Sequence, residues 1–181
     1  YNIPEEKVHH VGGGSNLDFS KVDYKSKRGN KILFIGRDFE RKNGNLVIAA
    51  FKIAQQIRDD IELYIVGPEK CPEKAKGKNI FFLGSKEYDR LPQIFNMCDV
   101  FCMPSKFEAY GLVFAEALIY GLPCIGRNAF EMPYFIDNGK TGYLLEKEDP
   151  EILAHYMIDL LCNEIIKKNV RDKFDWYKTE Y

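Results

Sequence analysis

The chain has no apolar run approaching the roughly 20 residues that a membrane-crossing helix needs. It also has no basic excess: 26 Lys and Arg face 27 Asp and Glu, a formal net charge of −1. Nucleic-acid and membrane surfaces normally need that excess, so neither partner is expected. Cys-x-x-Cys spacing is missing. The five cysteines (Cys71, Cys98, Cys102, Cys124, Cys162) form an odd set, three of them inside apolar segments. They are expected to be small buried hydrophobes in a reducing compartment rather than a zinc site or a disulfide framework. No signal-peptide pattern opens the chain. The short nucleotide and hydrolase signatures are absent too. No Gly-x-Gly-x-x-Gly follows the first apolar run, which argues against a nicotinamide or flavin site. There is no P-loop, and no Gly-x-Ser-x-Gly nucleophile elbow.

What is present is ordinary in amount and specific in order. With 181 residues, 45% apolar and 29% charged, the chain can bury one core of its own. Short apolar runs alternate with helical patterns. Lys31 to Gly36, Ile61 to Val66, Ile80 to Leu83, Asp99 to Met103, Leu122 to Gly126 and Gly142 to Leu145 read as strands. Asn45 to Ile57, Tyr88 to Met97, Leu112 to Tyr120, Glu131 to Asp137, Pro150 to about Asn163 and Arg171 to Tyr181 read as helices, with one helical turn inside Glu69 to Lys78. This alternation predicts an α/β fold: a Rossmann-like, doubly wound parallel sheet of about six strands with helices on both faces. Right-handed crossovers then place every strand-to-helix loop on one edge, where ligands bind in open α/β sheets.

The stretch Ser105 to Gly121, SKFEAYGLVFAEALIYG, is the expected centre of that edge. A strand leads through a short loop to a helix that opens at Gly111. A helix N-terminus has unpaired N–H groups and a partial positive charge, which suits a phosphate. Glu108 lies in the loop and Glu116 in the early helix. Singly, each is read as a dipole complement or a solvated side chain. Arg37 and Lys42 bracket the loop after the first strand. Their plain reading is two solvated cations, and their functional reading is a clamp for an anion.

Tyr1 to Gly14 is expected to enter from something upstream, with Glu6 to Val11 as a strand and Gly12-Gly13-Gly14 as a turn. His9 and His10 would point opposite ways on such a strand, against a shared metal site. Lys21 to Asn30 and the Lys167-Lys168 pair are expected to be solvated. His155 is expected to be structural, and Phe174 and Trp176 to pack in a core or an interdomain contact.

Taken together and in order, FIGRDFERKNG, FFLGS, LPQIFNMCDVFCMPS, FEAYGLVFAEAL and NGKTGYLL resemble the C-terminal domain of retaining glycosyltransferases of family 4, one half of a GT-B fold. The resemblance covers almost the whole chain. It implies an interdomain link over residues 1–20, a donor-binding domain over 21–170, and a helix over 171–181 that returns to an absent N-terminal domain. It also implies transfer of a sugar from a nucleotide-diphosphate sugar to a glycan or other acceptor held by that absent domain. No cofactor and no metal are expected, in keeping with the lack of Asp-x-Asp. Arg37 and Lys42 match the pair that holds the donor diphosphate, and Gly36 closes the strand before them. Glu108 matches the acid beside the donor sugar, and Glu116 the acid that accepts from the ribose hydroxyls. Ala109 and the backbone amides of Tyr110, Gly111 and Leu112 fall where the phosphates lie, and Gly84 and Ser85 beside the nucleobase. Glycan or polysaccharide synthesis in the cytoplasm is the implied setting, with attachment at the inner face of the membrane left open.

Three positions depart from the family pattern. Glu108-Ala109-Tyr110-Gly111 stands for the usual Glu-Gly-Phe-Gly. Ala129 to Tyr134 replaces Gly-Gly-x-Pro-Glu, and Gly12-Gly13-Gly14 stands near the usual Asn-Gly-Val-Asp. Two alternatives stay open at this point: a non-catalytic nucleotide-binding or partner-recruiting module, and a nucleotide-sugar isomerase on the same architecture.

Overall fold

A computed structural model describes residues 4–7, 13–15, 17–25, 27 and 29–180. Six parallel strands form one sheet: β1 (Lys31–Ile35), β2 (Glu62–Val66), β3 (Ile80–Gly84), β4 (Val100–Cys102), β5 (Cys124–Arg127) and β6 (Gly142–Leu145). Their order is β3-β2-β1-β4-β5-β6. β1 and β4 are buried along most of their length, because helices cover both faces of the sheet's centre; this is why they read as continuous apolar runs.

The helices are α1 (Gly44–Ile57), α2 (Leu91–Met97), α3 (Leu112–Ile119), α4 (Met132–Phe135), α5 (Pro150–Cys162), α6 (Glu164–Asp172) and α7 (Phe174–Glu180). The chain steps outward from β1 to β2 to β3, then reverses to β4, β5 and β6. With right-handed crossovers that reversal moves the connections to the other face. It leaves a switch point between β1 and β4. α5, which starts at the Asp149 cap, packs against α1, while α3 packs against α4, α6 and α7. The expected cysteines, Cys98, Cys102 and Cys124, are fully buried in this core.

Several expectations are corrected. Glu5–Lys7 is a 3-10 turn closed by the Lys7 N–H on the Pro4 carbonyl, not the start of a strand; three consecutive charged residues have no apolar face to pair. The rest of that strand, with His9, His10 and Gly12, lies outside the described residues. Tyr88 to Met97 is not one helix. Tyr88–Arg90 is 3-10, and α2 begins only at Leu91, where Pro92 lacks the N–H that continuation would need. The C-terminal segment is two helices. Asn163 caps α6 through the Ile166 N–H, and Lys173 interrupts it before α7.

The lysines expected in solvent are corrected as well. The Lys27 ammonium donates to the carbonyls of Phe95 and Cys98, at 3.2 and 2.6 Å, where α2 ends. Lys167 is 7% exposed and donates to the Leu161 carbonyl at 2.7 Å, where α5 ends. Both ammoniums thus meet carbonyls at the negative end of a helix. Burial pulls the Lys27 ammonium down to about 8, against the nearby Asp99 charge.

Between pH 8 and the ordinary lysine value the unfolded chain therefore holds a proton that the folded chain has lost, so the Lys27 contribution to stability rises with pH across that window. Denaturant titrations at pH 8 and pH 10 are expected to show the parent gaining on Lys27→Met by about 1 kcal/mol per pH unit. A gap that does not change with pH would refute the buried ammonium.

Candidate functional site

The site is assembled from the loops at the carboxyl ends of the strands. After β1, Asp38 accepts from the Arg41 N–H at 3.2 Å and from its Nε at 3.1 Å, which folds residues 38–43 into a tight turn. Asn43 then takes a left-handed conformation and α1 begins. This turn lays the Lys42 stem over Gly36 and sends its ammonium toward the loop after β4.

There Lys42 Nζ meets Glu108 Oε2 in an ion pair with the two side chains only 12% and 10% exposed. Two hydrogen bonds tie the same two loops together. The Lys106 N–H donates to the Arg41 carbonyl at 2.8 Å, and Arg41 Nη1 donates to the Phe107 carbonyl at 2.8 Å. Ser105, fully buried, sets its hydroxyl 2.7 Å from the Phe107 carbonyl and 3.2 Å from the Arg41 carbonyl. The pair thus bridges the switch point, with Lys42 following β1 and Glu108 following β4.

Gly111 ends the second loop at φ 95° and starts α3. Only glycine adopts that conformation cheaply, and an added Cβ would stand 3.0 Å from Cγ of Glu108. The Phe114 N–H closes the first turn on the Gly111 carbonyl at 2.9 Å, and the helix therefore starts next to Glu108. One face further along α3, Glu116 is 6% exposed, not solvated. Burial raises its carboxyl above the ordinary value, and one hydrogen bond opposes that rise: the Ser15 hydroxyl donates to Oε1 at 3.0 Å. The N-terminal segment lies across the same corner. An added Cβ on Gly13 would be 2.5 Å from the Tyr110 ring and 3.2 Å from Leu112.

Arg37, Gly84 and Ser85 stand further along the rim. The exposed Arg37 lines a groove of about 310 Å³ with Gly67, Ser85 and Tyr88, over the ends of β1, β2 and β3. Gly84 accepts the Gly67 N–H at 2.9 Å and is left-handed at φ 70°. Ala109 is exposed, and Tyr110 packs edge-on to Phe135 at 5.5 Å. Of the expected residues, Lys42 and Glu108 are in direct contact. Arg37 shares their edge of the sheet but serves the groove toward β3. Arg41, Ser105 and Ser15 were not singled out in the sequence. Arg41 and Ser105 act through backbone carbonyls, which leave no spacing signal. Ser15 meets its partner across 101 positions.

Beside this site, Phe107 and Phe130 are exposed and meet edge-on at 5.0 Å. Phe130 sits at φ 56°, where the family pattern would have glycine. A left-handed aromatic costs about 1 kcal/mol or more.

The sequence model of the glycosyl transferases group 1 family matches residues 17–179. The chain belongs to that family. The N-acetyl-alpha-D-glucosaminyl L-malate synthase of Bacillus anthracis, a relative, is 32% identical over 96% of this chain and 46% of its own length. The capsular polysaccharide biosynthesis glycosyltransferase CapM of Staphylococcus aureus is 24% identical over 92% of this chain and 49% of its own. The chain therefore spans about half the length of the curated relatives it matches. Among solved structures, the pneumococcal O-GlcNAc transferase GtfA, in complex with UDP and GlcNAc, superposes with a TM-score of 0.73 at 21% identity, over 93% of this chain and 36% of that one. WaaG, a glycosyltransferase involved in lipopolysaccharide biosynthesis, gives 0.68 at 22% identity, over 86% of this chain and 44% of that one. The six-stranded parallel sheet is thus the Rossmann-like sheet of GT-B neighbours, and this member of the group 1 family carries its Lys42–Glu108 pair at the sheet's switch point.

Breaking one side of a buried ion pair leaves the other charge uncompensated. Lys42→Met and Glu108→Gln are each expected to lower unfolding stability by about 3 kcal/mol, with the double variant recovering part of the loss. Additive losses in denaturant titration would show that the two side chains do not meet in solution.

Proposed function

We propose that this chain is the donor-binding half of a family 4, retaining glycosyltransferase of the GT-B type. The full protein transfers a sugar from a nucleotide-diphosphate sugar to a glycan or other acceptor without a metal or an organic cofactor. The observation that carries this reading is the buried Lys42–Glu108 pair at the switch point, with the N-terminus of α3 opening beside it. Ligands of open α/β sheets bind in that crevice.

In this reading the diphosphate lands between Lys42, Arg37 and the amides of Tyr110, Gly111 and Leu112. Lys42 turns part of its charge from Glu108 to the phosphate. Fixed cations aimed at the departing nucleotide stabilise the charge that develops as the glycosidic bond breaks. Glu108, released to that extent, accepts from hydroxyls of the donor sugar. Glu116 accepts from the ribose, since a carboxylate can take two hydroxyl donors at once. The nucleobase lies in the groove formed by Arg37, Gly67, Ser85 and Tyr88. Residues 1–20 link to an N-terminal domain that holds the acceptor, residues 21–170 bind the donor, and residues 171–181 return to the partner domain. The half-exposed Trp176 on α7 is a surface for that return. The setting is cytoplasmic synthesis of a glycan or polysaccharide, and none of the described helices is long and apolar enough to cross a membrane.

Calorimetry with UDP, GDP and ADP tests the reading. At least one is expected to bind the chain, while turnover of its sugar derivative by the chain alone stays negligible. UDP comes first in the panel, because the GtfA structure holds UDP with GlcNAc and a cyanobacterial neighbour, Alr3699/HepE from Anabaena, holds UDP with glucose. Glu116→Ala is expected to weaken the bound nucleotide roughly tenfold or more, the usual cost of losing hydrogen bonds to a charged group. A folded chain that binds none of the three nucleotides would overturn the donor-site assignment.

A further inference from the structure

Glu116 is approached from outside its own helix by one described hydrogen-bond donor, and that donor comes from the N-terminal link. We propose that Ser15 is a positioning residue for nucleotide binding: its hydroxyl turns the Glu116 carboxylate toward the ribose and holds it there. This rests on the assignment of Glu116 to the ribose hydroxyls.

The geometry sets the direction of the hydrogen bond. The Leu17 N–H donates to Ser15 Oγ at 3.1 Å, so a lone pair of the hydroxyl is taken and its proton points to Glu116 Oε1, 3.0 Å away. A carboxylate has about four acceptor positions over two oxygens. Ser15 uses one. Oε2 and the second position on Oε1 remain for two vicinal hydroxyls. Without Ser15 the side chain would have to be ordered by the ligand, at the cost of its rotamer entropy.

The charges around α3 do not take over this task. Tyr120, one turn on, commits its hydroxyl to the Asp18 carbonyl at 2.8 Å. The Asp18 carboxylate accepts from Ser20. On the elements packed against α3, Arg127 of β5 pairs with Glu148, and Lys167 and Arg171 of α6 pair with Glu164. Lys178 of α7 lies over the Phe174 ring, and Tyr177 is buried in the common core. Burial pushes Glu116 toward its neutral form, and the Ser15 hydroxyl is the contact that favours the ionised one. A neutral carboxyl has one oxygen that donates instead of accepting, so it receives a vicinal diol less well. Ser15 thereby couples the link to the ribose end of the donor site, and the neighbouring Gly13 contact with Tyr110 and Leu112 runs along the same path.

The test uses this chain and the diphosphate among UDP, GDP and ADP that binds in the panel above, together with its 2′-deoxy analogue. Ser15→Ala is expected to lose three- to tenfold in affinity at pH 8 and to lose more at pH 5.5, because the fall in binding on acidification moves to higher pH. Tyr120, pushed up to about 12 by burial, stays protonated throughout that range. Ser15→Ala is also expected to narrow the preference for the ribonucleotide over the 2′-deoxy analogue, and Ser15→Thr to restore both properties. Unchanged affinity and pH midpoint in Ser15→Ala would refute the positioning role, and so would tighter binding, which would make Ser15 a competitor of the ribose. If Glu116→Ala leaves affinity intact, the ribose assignment fails instead. A folded chain that binds none of the three diphosphates overturns both.

Discussion

One ion pair joins the two halves of this sheet. Lys42 follows β1 and Glu108 follows β4, and these strands are neighbours from which the chain runs out in opposite directions. Taking two charges out of water is expensive, and mutual attraction rarely gives a surplus over an apolar contact of the same size. Such a pair is therefore poor economy as a structural tie. On the proposed reading it is a pair of charges kept close and dry until a ligand divides them. The Lys106 N–H on the Arg41 carbonyl and the Arg41 guanidinium on the Phe107 carbonyl already fasten the two loops, so the Lys42–Glu108 pair is not needed for that purpose.

The two edges of the sheet handle charge in opposite ways. At the carboxyl edge, helix α3 presents amides, and Lys42 is balanced by a carboxylate that a phosphate could replace. At the amino edge, α2 and α5 end in bare carbonyls, and Lys27 and Lys167 are spent on them. The donors of these two lysines are committed to the negative ends of helices. The same residue type thus caps helix carbonyls on one side and pairs with a buried carboxylate on the other. The difference lies in which end of a helix it meets.

Much of this was legible in the chain itself. Six apolar runs separated by helical patterns gave the parallel sheet, because strands covered on both faces need no alternation. Lys42 and Glu108 could be placed on one edge because each follows a strand by a few residues. Glu116 could be placed only on a helix; its contact with Ser15 of the N-terminal segment joins residues far apart in sequence. Lys27 and Lys167 were misjudged because a lysine in a charged run looks solvated, and whether its stem reaches a carbonyl depends on helix ends distant in sequence. No helix was read over residues 164–170, although Asn163 caps α6 there through the Ile166 N–H. Ser15 could not be found in advance, because a serine after three glycines has no feature that names a partner on α3.

The central claim is that the Lys42–Glu108 crossing is where the donor's diphosphate comes to rest. Amide shift mapping by NMR, with a nucleoside diphosphate titrated into the chain, measures this most directly. The largest changes are expected at Gly36 to Lys42 and at Glu108 to Leu112, where the two loops meet. Changes gathered instead at the amino edge, around Lys27 and Lys167, with those two loops silent, would contradict it.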